Sequence, residues 1–244
     1  MDHLYLFIVL ALLAEILGTV GGFGSSLFFV PIASYFLDFY SVLGITAVFH
    51  VCSNIAKISL FRHGFNKRIL LTVGIPAVAC VMIGAMLTRY FNSDLLQLAL
   101  SVFLVVISAL FLLFKNLRIK PTLFNSLTGG ALSGFTAGLL GSGGAIRALT
   151  LATFSIEKNV FIATSALIDL GVDLSRGLIY FSNGYIHRHD LYLIVILFVV
   201  SVAGTYAGKK ILNRFSETQF RHLVLFLILL IGVGSTLKFF WKSL

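Results

Sequence analysis

Gly18-Thr19-Val20-Gly21-Gly22-Phe23-Gly24-Ser25-Ser26 is the stretch on which the fold of this chain turns. It lies inside an apolar run, residues 4–37, that is too long for one helix across a bilayer. At about 1.5 Å per residue such a helix would reach about 51 Å, against a hydrocarbon core of about 30 Å. Four glycines in seven positions, followed by Pro31, support helix poorly. The run therefore breaks here and folds back.

Outward from this break the chain divides into apolar segments at roughly 4–20, 25–37, 41–61, 69–90, 95–114, 122–140, 145–155, 160–181, 190–212 and 222–240, separated by charged loops. Of 244 residues, 59% are apolar and 11% charged, and the mean hydropathy is +1.03. That leaves too little polar surface to face water and excludes a soluble globular protein. Intrinsic disorder, collagen-like sequence and a disulfide-stapled secreted domain are excluded too, because 24 Phe need an apolar home and only Cys52 and Cys80 are present. Those two cysteines read as small core hydrophobes. The net charge of +9 is spread thinly between apolar segments, which marks membrane topology and not a nucleic-acid surface. Residues 1–20 lack a basic leader and a small-residue cleavage site, so the first segment is expected to be retained.

The glycine break returns as Gly138-Leu139-Leu140-Gly141-Ser142-Gly143-Gly144, displaced by 120 residues. At that displacement Gly18, Gly21, Gly24 and Gly64 fall on Gly138, Gly141, Gly144 and Gly184, and Phe65 falls on Tyr185. With four residues inserted, Gly84 and Phe91 fall on Gly208 and Phe215. The chain reads as an internal duplication, residues 1–117 and 118–244, joined near Lys115 to Pro121. Five crossings per half would invert the second copy and put Arg62, Lys67, Arg68, Lys115, Arg118, Lys120, Lys158, Lys209, Lys210, Arg214 and Arg221 on the cytoplasmic side, with Arg89, Arg188, Lys238 and Lys242 outside. Four crossings give a weaker basic bias, so the positive-inside rule favours inverted repeats. The short arm 25–37 leaves open whether the hairpins span fully or are re-entrant.

Ionisable groups inside apolar segments are costly and mark site candidates. His50, Asn54 and Lys57 share one helical face, spaced four then three. Asp169, Asp173 and Arg176 repeat that spacing in the second half, one position out of the 120-residue register. Such stripes either line a substrate path or glue helices through pairs such as Lys57 with Asp173 and Arg176 with Asp169. Glu15 either couples protons or pairs with a buried cation. The breaks carry the chemistry: a helix starting at unwound, buried backbone points free N–H groups and a positive dipole end at its surroundings, which suits an anion. Gly22, Gly24, Ser25 and Ser26 in one copy, and Ser142, Gly143 and Gly144 in the other, are the expected donors, while Arg147 either closes the site or snorkels to an interface. Gly204 and Gly208 have the spacing of close helix packing.

No phosphate-binding loop, nucleophile elbow or serine protease pair is present, so no enzyme is expected. His187-Arg188-His189 reads as a solvated loop and not a metal site, and no cofactor is expected.

These residues resemble the sulfite exporter TauE/SafE family of membrane permeases over nearly the whole chain. The resemblance rests on Gly21-Gly22-Phe23-Gly24 with Pro31 seven residues later, on Gly141-Ser142-Gly143-Gly144, and on the turns Arg62-His63-Gly64-Phe65 and Ser182-Asn183-Gly184-Tyr185. Leu151 stands where Pro31 stands in the first copy. The resemblance implies a permease for small anions such as sulfite, sulfonates or related organosulfur acids, generally in bacterial inner membranes. The expected fold is an all-α polytopic membrane protein of two inverted repeats, each a glycine-broken hairpin plus three transmembrane helices. Its partners would be a small anion, the lipid bilayer and, as coupling ion, protons, with no nucleic acid. A channel-like pore and a scaffold subunit are the competing expectations.

Overall fold

The computed structural model describes residues 3–62, 64–113, 120–154, 156–212 and 217–242. The expected join at Lys115 to Pro121 falls mostly outside them, as do His63, Arg214 and the side chains of His189, Arg221, Lys238 and Lys242. The described residues form helices only: α1 (Leu4–Gly21), α2 (Ser26–Ala33), α3 (Phe39–Leu60), α4 (Lys67–Tyr90), α5 (Ser93–Leu113), α6 (Leu123–Leu140), α7 (Gly144–Ala152), α8 (Lys158–Ser182), α9 (Leu191–Leu212) and α10 (Glu217–Lys242). The protein is an integral membrane protein, and α1, α3, α4, α5 and α9 are each long and apolar enough to cross a bilayer.

Local chemistry sets the ends. Gly22 caps α1 and Gly141 caps α6 in the left-handed region, φ 69° and 75°, where a side chain would be strained. Asp38 accepts from the Tyr40 and Ser41 amides (both 3.1 Å) to start α3, and Thr122 accepts from the Asn125 amide (3.2 Å) to start α6. Within α4, Leu70–Gly74 widens to a π turn just before Pro76, which has no N–H to offer the regular ladder.

The two breaks are real, and α2 and α7 are short, about 12 and about 13 Å at ~1.5 Å per residue. Each lies against the helix before it. Gly18 permits this at the first break, since a Cβ there would overlap the backbone of Gly24 and Ser25. The caps Gly22 and Gly141 stand one residue closer than the 120 displacement, and in their register His50, Asn54 and Lys57 fall on Asp169, Asp173 and Arg176 without offset.

The halves interlock. α1 packs along α9, with Gly204 and Gly208 meeting Glu15 and Thr19, while α6 packs along α4, with Gly130, Gly134 and Gly138 against the Val73, Ala77 and Val81 carbonyls. In that seam a Cβ would collide with backbone, so the glycines set the approach of the two helices. α3 and α8 lie together at the centre and run antiparallel: Ser41 near the start of α3 bonds His187 beyond the end of α8, and Asn66 beyond α3 bonds Thr164 near the start of α8. α5 and α10 pair at the outside. One end of the bundle gathers Arg62, Lys67, Arg68, Lys158, Lys209 and Lys210; Lys209 Nζ donates there to the Leu60 carbonyl (2.6 Å) and Lys158 Nζ to that of Leu212 (3.2 Å).

Candidate functional site

The two breaks face each other. Ser142 Oγ donates to Ser26 Oγ (3.4 Å), and any side chain at Gly144 would overlap the Phe23 carbonyl. Ser133 Oγ donates to the Gly143 carbonyl (2.9 Å) and fixes the second break to α6. Around this junction three ion pairs take up every buried cation that the sequence singled out.

The first pair joins Lys57 Nζ to Glu15 Oε1 (2.9 Å). Glu15 is fully buried, which its carboxylate tolerates only because donors surround it. Hydroxyls of Ser53 (2.5 Å), Thr205 (3.0 Å) and Thr19 (3.2 Å) reach Oε1, and Ser25 Oγ reaches Oε2 (2.6 Å). Ser25 Oγ also lies 3.1 Å from His50 Nε2, which ties the first break to α3.

The second pair joins Arg176 to Asp173 (Nη2 to Oδ1, 2.6 Å), with Asn54 Nδ2 donating to Asp173 Oδ2 (2.8 Å). Arg176 Nη1 donates to the carbonyls of Ala137 (3.0 Å) and Gly141 (2.9 Å), satisfying the orphan acceptors at the end of α6. The third pair joins Arg147 Nη1 to Asp169, and Arg147 Nε donates to Ser165 Oγ (2.8 Å). Arg147 Nη2 points between the breaks: a Cβ built on Gly24 or Gly144 would lie 3.6 or 3.5 Å from it. It has no hydrogen-bond partner among the described residues.

These groups border a cavity of about 20 Å³. Gly22, Gly24, Asn54, Lys57, Arg147 and Asp169 line it, together with Gly18, Thr19 and the α8 residues Ile162, Ser165 and Ala166. It has room for about one water molecule and is too small for a multi-atom oxyanion. Away from the basic end the bundle is closed by aromatic packing. Tyr40 stacks on Tyr185 (4.6 Å), Tyr185 on Tyr180 (5.8 Å), and the Tyr185 hydroxyl lies 3.1 Å from that of Thr88.

Of the residues singled out in the sequence, Gly22, Gly24, Asn54, Lys57, Arg147 and Asp169 come together at the cavity, with Ser25, Ser26, His50, Ser142, Gly143 and Gly144 in the surrounding break backbone and its contacts. Arg176 and Asp173 stand behind it, and Glu15 lies behind Lys57. Arg147 is buried and does not snorkel. The pairing differs from the one considered for a helix-gluing stripe: Lys57 takes Glu15 and Arg176 takes Asp173. Sequence reasoning passed over Thr19, Ser53, Ser165 and Thr205. Two of them sit four residues from a partner on the same helix, Thr19 from Glu15 and Ser53 from Lys57, and Ser165 sits four residues from Asp169, with which it shares Arg147, a legible spacing. Thr205 is 190 residues from Glu15 and had no local signal.

The family described as Sulfite exporter TauE/SafE matches residues 7–235. A probable membrane transporter protein of Methanocaldococcus jannaschii is 24% identical over 252 residues, covering 93% of this chain and 92% of the relative. No solved structure matches the chain.

Proposed function

This chain belongs to the sulfite exporter TauE/SafE family of membrane transporters, and from that premise we propose that it is a secondary transporter for a small oxyanion, sulfite or a sulfonate, bound between the two glycine breaks. The observation that carries this reading is Arg147. Its unengaged Nη2 faces both breaks at a cavity that Lys57 also lines. A planar guanidinium with a spare edge, buried beside amide-rich backbone, is chemistry for an oxyanion.

The counter-charges explain how such a site stays closed when empty. Lys57, Arg147 and Arg176 each have a carboxylate, so no net charge is stranded in the protein interior. An incoming anion competes with Asp169 for Arg147, and Asp169 or Asp173 takes up a proton or swings away as the anion enters. Because the cavity admits only about one water in this conformation, binding requires the walls to part. The Tyr40–Tyr185–Tyr180 stack closes one side while Ile162 and Ser165 lead toward the basic end, which the positive-inside rule puts in the cytoplasm. This fits alternating access caught with its outer side shut.

We assign the scaffold as two inverted repeats, residues 1–117 and 118–244. The antiparallel course of α3 and α8, and the exchange of partners by which α1 runs with α9 and α6 with α4, support that assignment. A bacterial inner membrane is the expected location. The test is uptake of radiolabelled sulfite into proteoliposomes. Wild-type protein should show saturable uptake and counterflow, and Arg147→Ala should abolish both, with Leu178→Ala on the lipid face as control. Uptake without counterflow would replace the transporter with a pore, and no uptake of any small sulfur or carboxylic anion would leave a scaffold.

A further inference from the structure

The surroundings of Glu15 are more than a partner for Lys57. Four of the five groups that reach its carboxylate converge on Oε1: the hydroxyls of Thr19, Ser53 and Thr205 and the ammonium of Lys57. A carboxylate oxygen offers about two lone pairs, so four donors at one oxygen exceed what it accepts, and hydroxyl lone pairs remain unused. Lys57 Nζ touches two oxygens of this group, Glu15 Oε1 at 2.9 Å and Ser53 Oγ at 2.6 Å. The arrangement is a cage of hydroxyls from α1, α3, α9 and the first break around the Glu15 carboxylate, with a positive charge that the chain itself supplies bound to two of its oxygens.

We propose that this cage is a monovalent cation site, selective for sodium, which Lys57 fills in the present conformation and vacates when it turns to an anion in the cavity. An all-oxygen donor set suits a hard cation, and a single carboxylate matches a single charge. Hydroxyls that now donate to Glu15 need only rotate to turn their lone pairs to the ion. Lys57 belongs to both sites, because it lines the cavity while its ammonium pairs with Glu15. Moving Lys57 toward the anion leaves Glu15 buried and uncompensated, a state that a sodium ion relieves. Gly204 keeps the cage open on its α9 side, since a Cβ there would lie 2.8 Å from Glu15 Cβ and Cγ. The coupling of cation to anion rests on the transporter reading; the cage itself does not.

The direct test uses the purified full chain in detergent and needs no anion. In Lys57→Met, which keeps the stem and removes the charge, equimolar sodium chloride should raise the thermal unfolding midpoint by several degrees over choline chloride, and potassium chloride should do so less. Adding Glu15→Gln to that variant should abolish the shift. Equal midpoints in sodium and choline, or a shift that survives Glu15→Gln, would overturn the site; Lys57→Gln is the second variant, read by the same outcomes. In wild-type protein sodium should stabilise only when saturating sulfite is present. A sodium shift in Lys57→Met without any sulfite effect in wild type would keep the cage and remove the coupling.

Discussion

Side chains in this protein divide by what a lost partner would cost. Arg176 is bonded to Asp173 and to two carbonyls at the end of α6, and is 1% exposed. Its removal strands a buried carboxylate and reopens a helix end, so Arg176→Ala should lower unfolding stability in detergent by about 3–5 kcal/mol. Asp173→Asn in the same background should recover part of that loss. Arg147 has an edge to spare. Arg147→Lys keeps the charge but cannot hold Ser165 and Asp169 while reaching both breaks, so sulfite uptake should fall at least about tenfold, a difference of ~1.4 kcal/mol, with a much smaller change in unfolding midpoint. Equal losses of stability in the two variants would place Arg147 with the structural arginine.

Between elements, glycine does two separate jobs. In the α4–α6 seam Gly134 and Gly138 let backbone touch backbone, and Gly134→Val should separate the helices and cost more than the ~1–3 kcal/mol of ordinary overpacking, because the colliding atoms are main chain. Gly64 has φ 87° and nothing within 4 Å of a built Cβ, so Gly64→Ala should cost only about 1–2 kcal/mol, the price of a left-handed alanine. Comparing the two by thermal unfolding separates close approach from backbone conformation. The length of the opening apolar run made the break legible at this scale. The partners of the broken helices were not legible, because α1 finds α9 and α6 finds α4 across the whole chain.

The whole molecule makes one prediction of its own. If α3 and α8 are counterparts lying upside down to each other, Arg62 and Ser182, at the ends of the two, must lie on opposite faces of the membrane. In a Cys52→Ala/Cys80→Ala background, single cysteines there should react with an impermeant thiol reagent from opposite sides; labelling from one side would defeat inverted repeats. The sequence by itself determined that the chain lives in a bilayer, that it breaks at Gly21–Gly24 and Gly141–Gly144, and which few ionisable residues lie within the spans. Composition, length and spacing are local properties, and a bilayer turns them directly into segments. Only the tertiary structure decided which carboxylate meets which cation, that Arg147 turns inward, and that Glu15 is ringed by hydroxyls from distant helices. A buried charge takes whichever partner the packing brings within reach, and in this protein the packing pairs residues up to 190 positions apart.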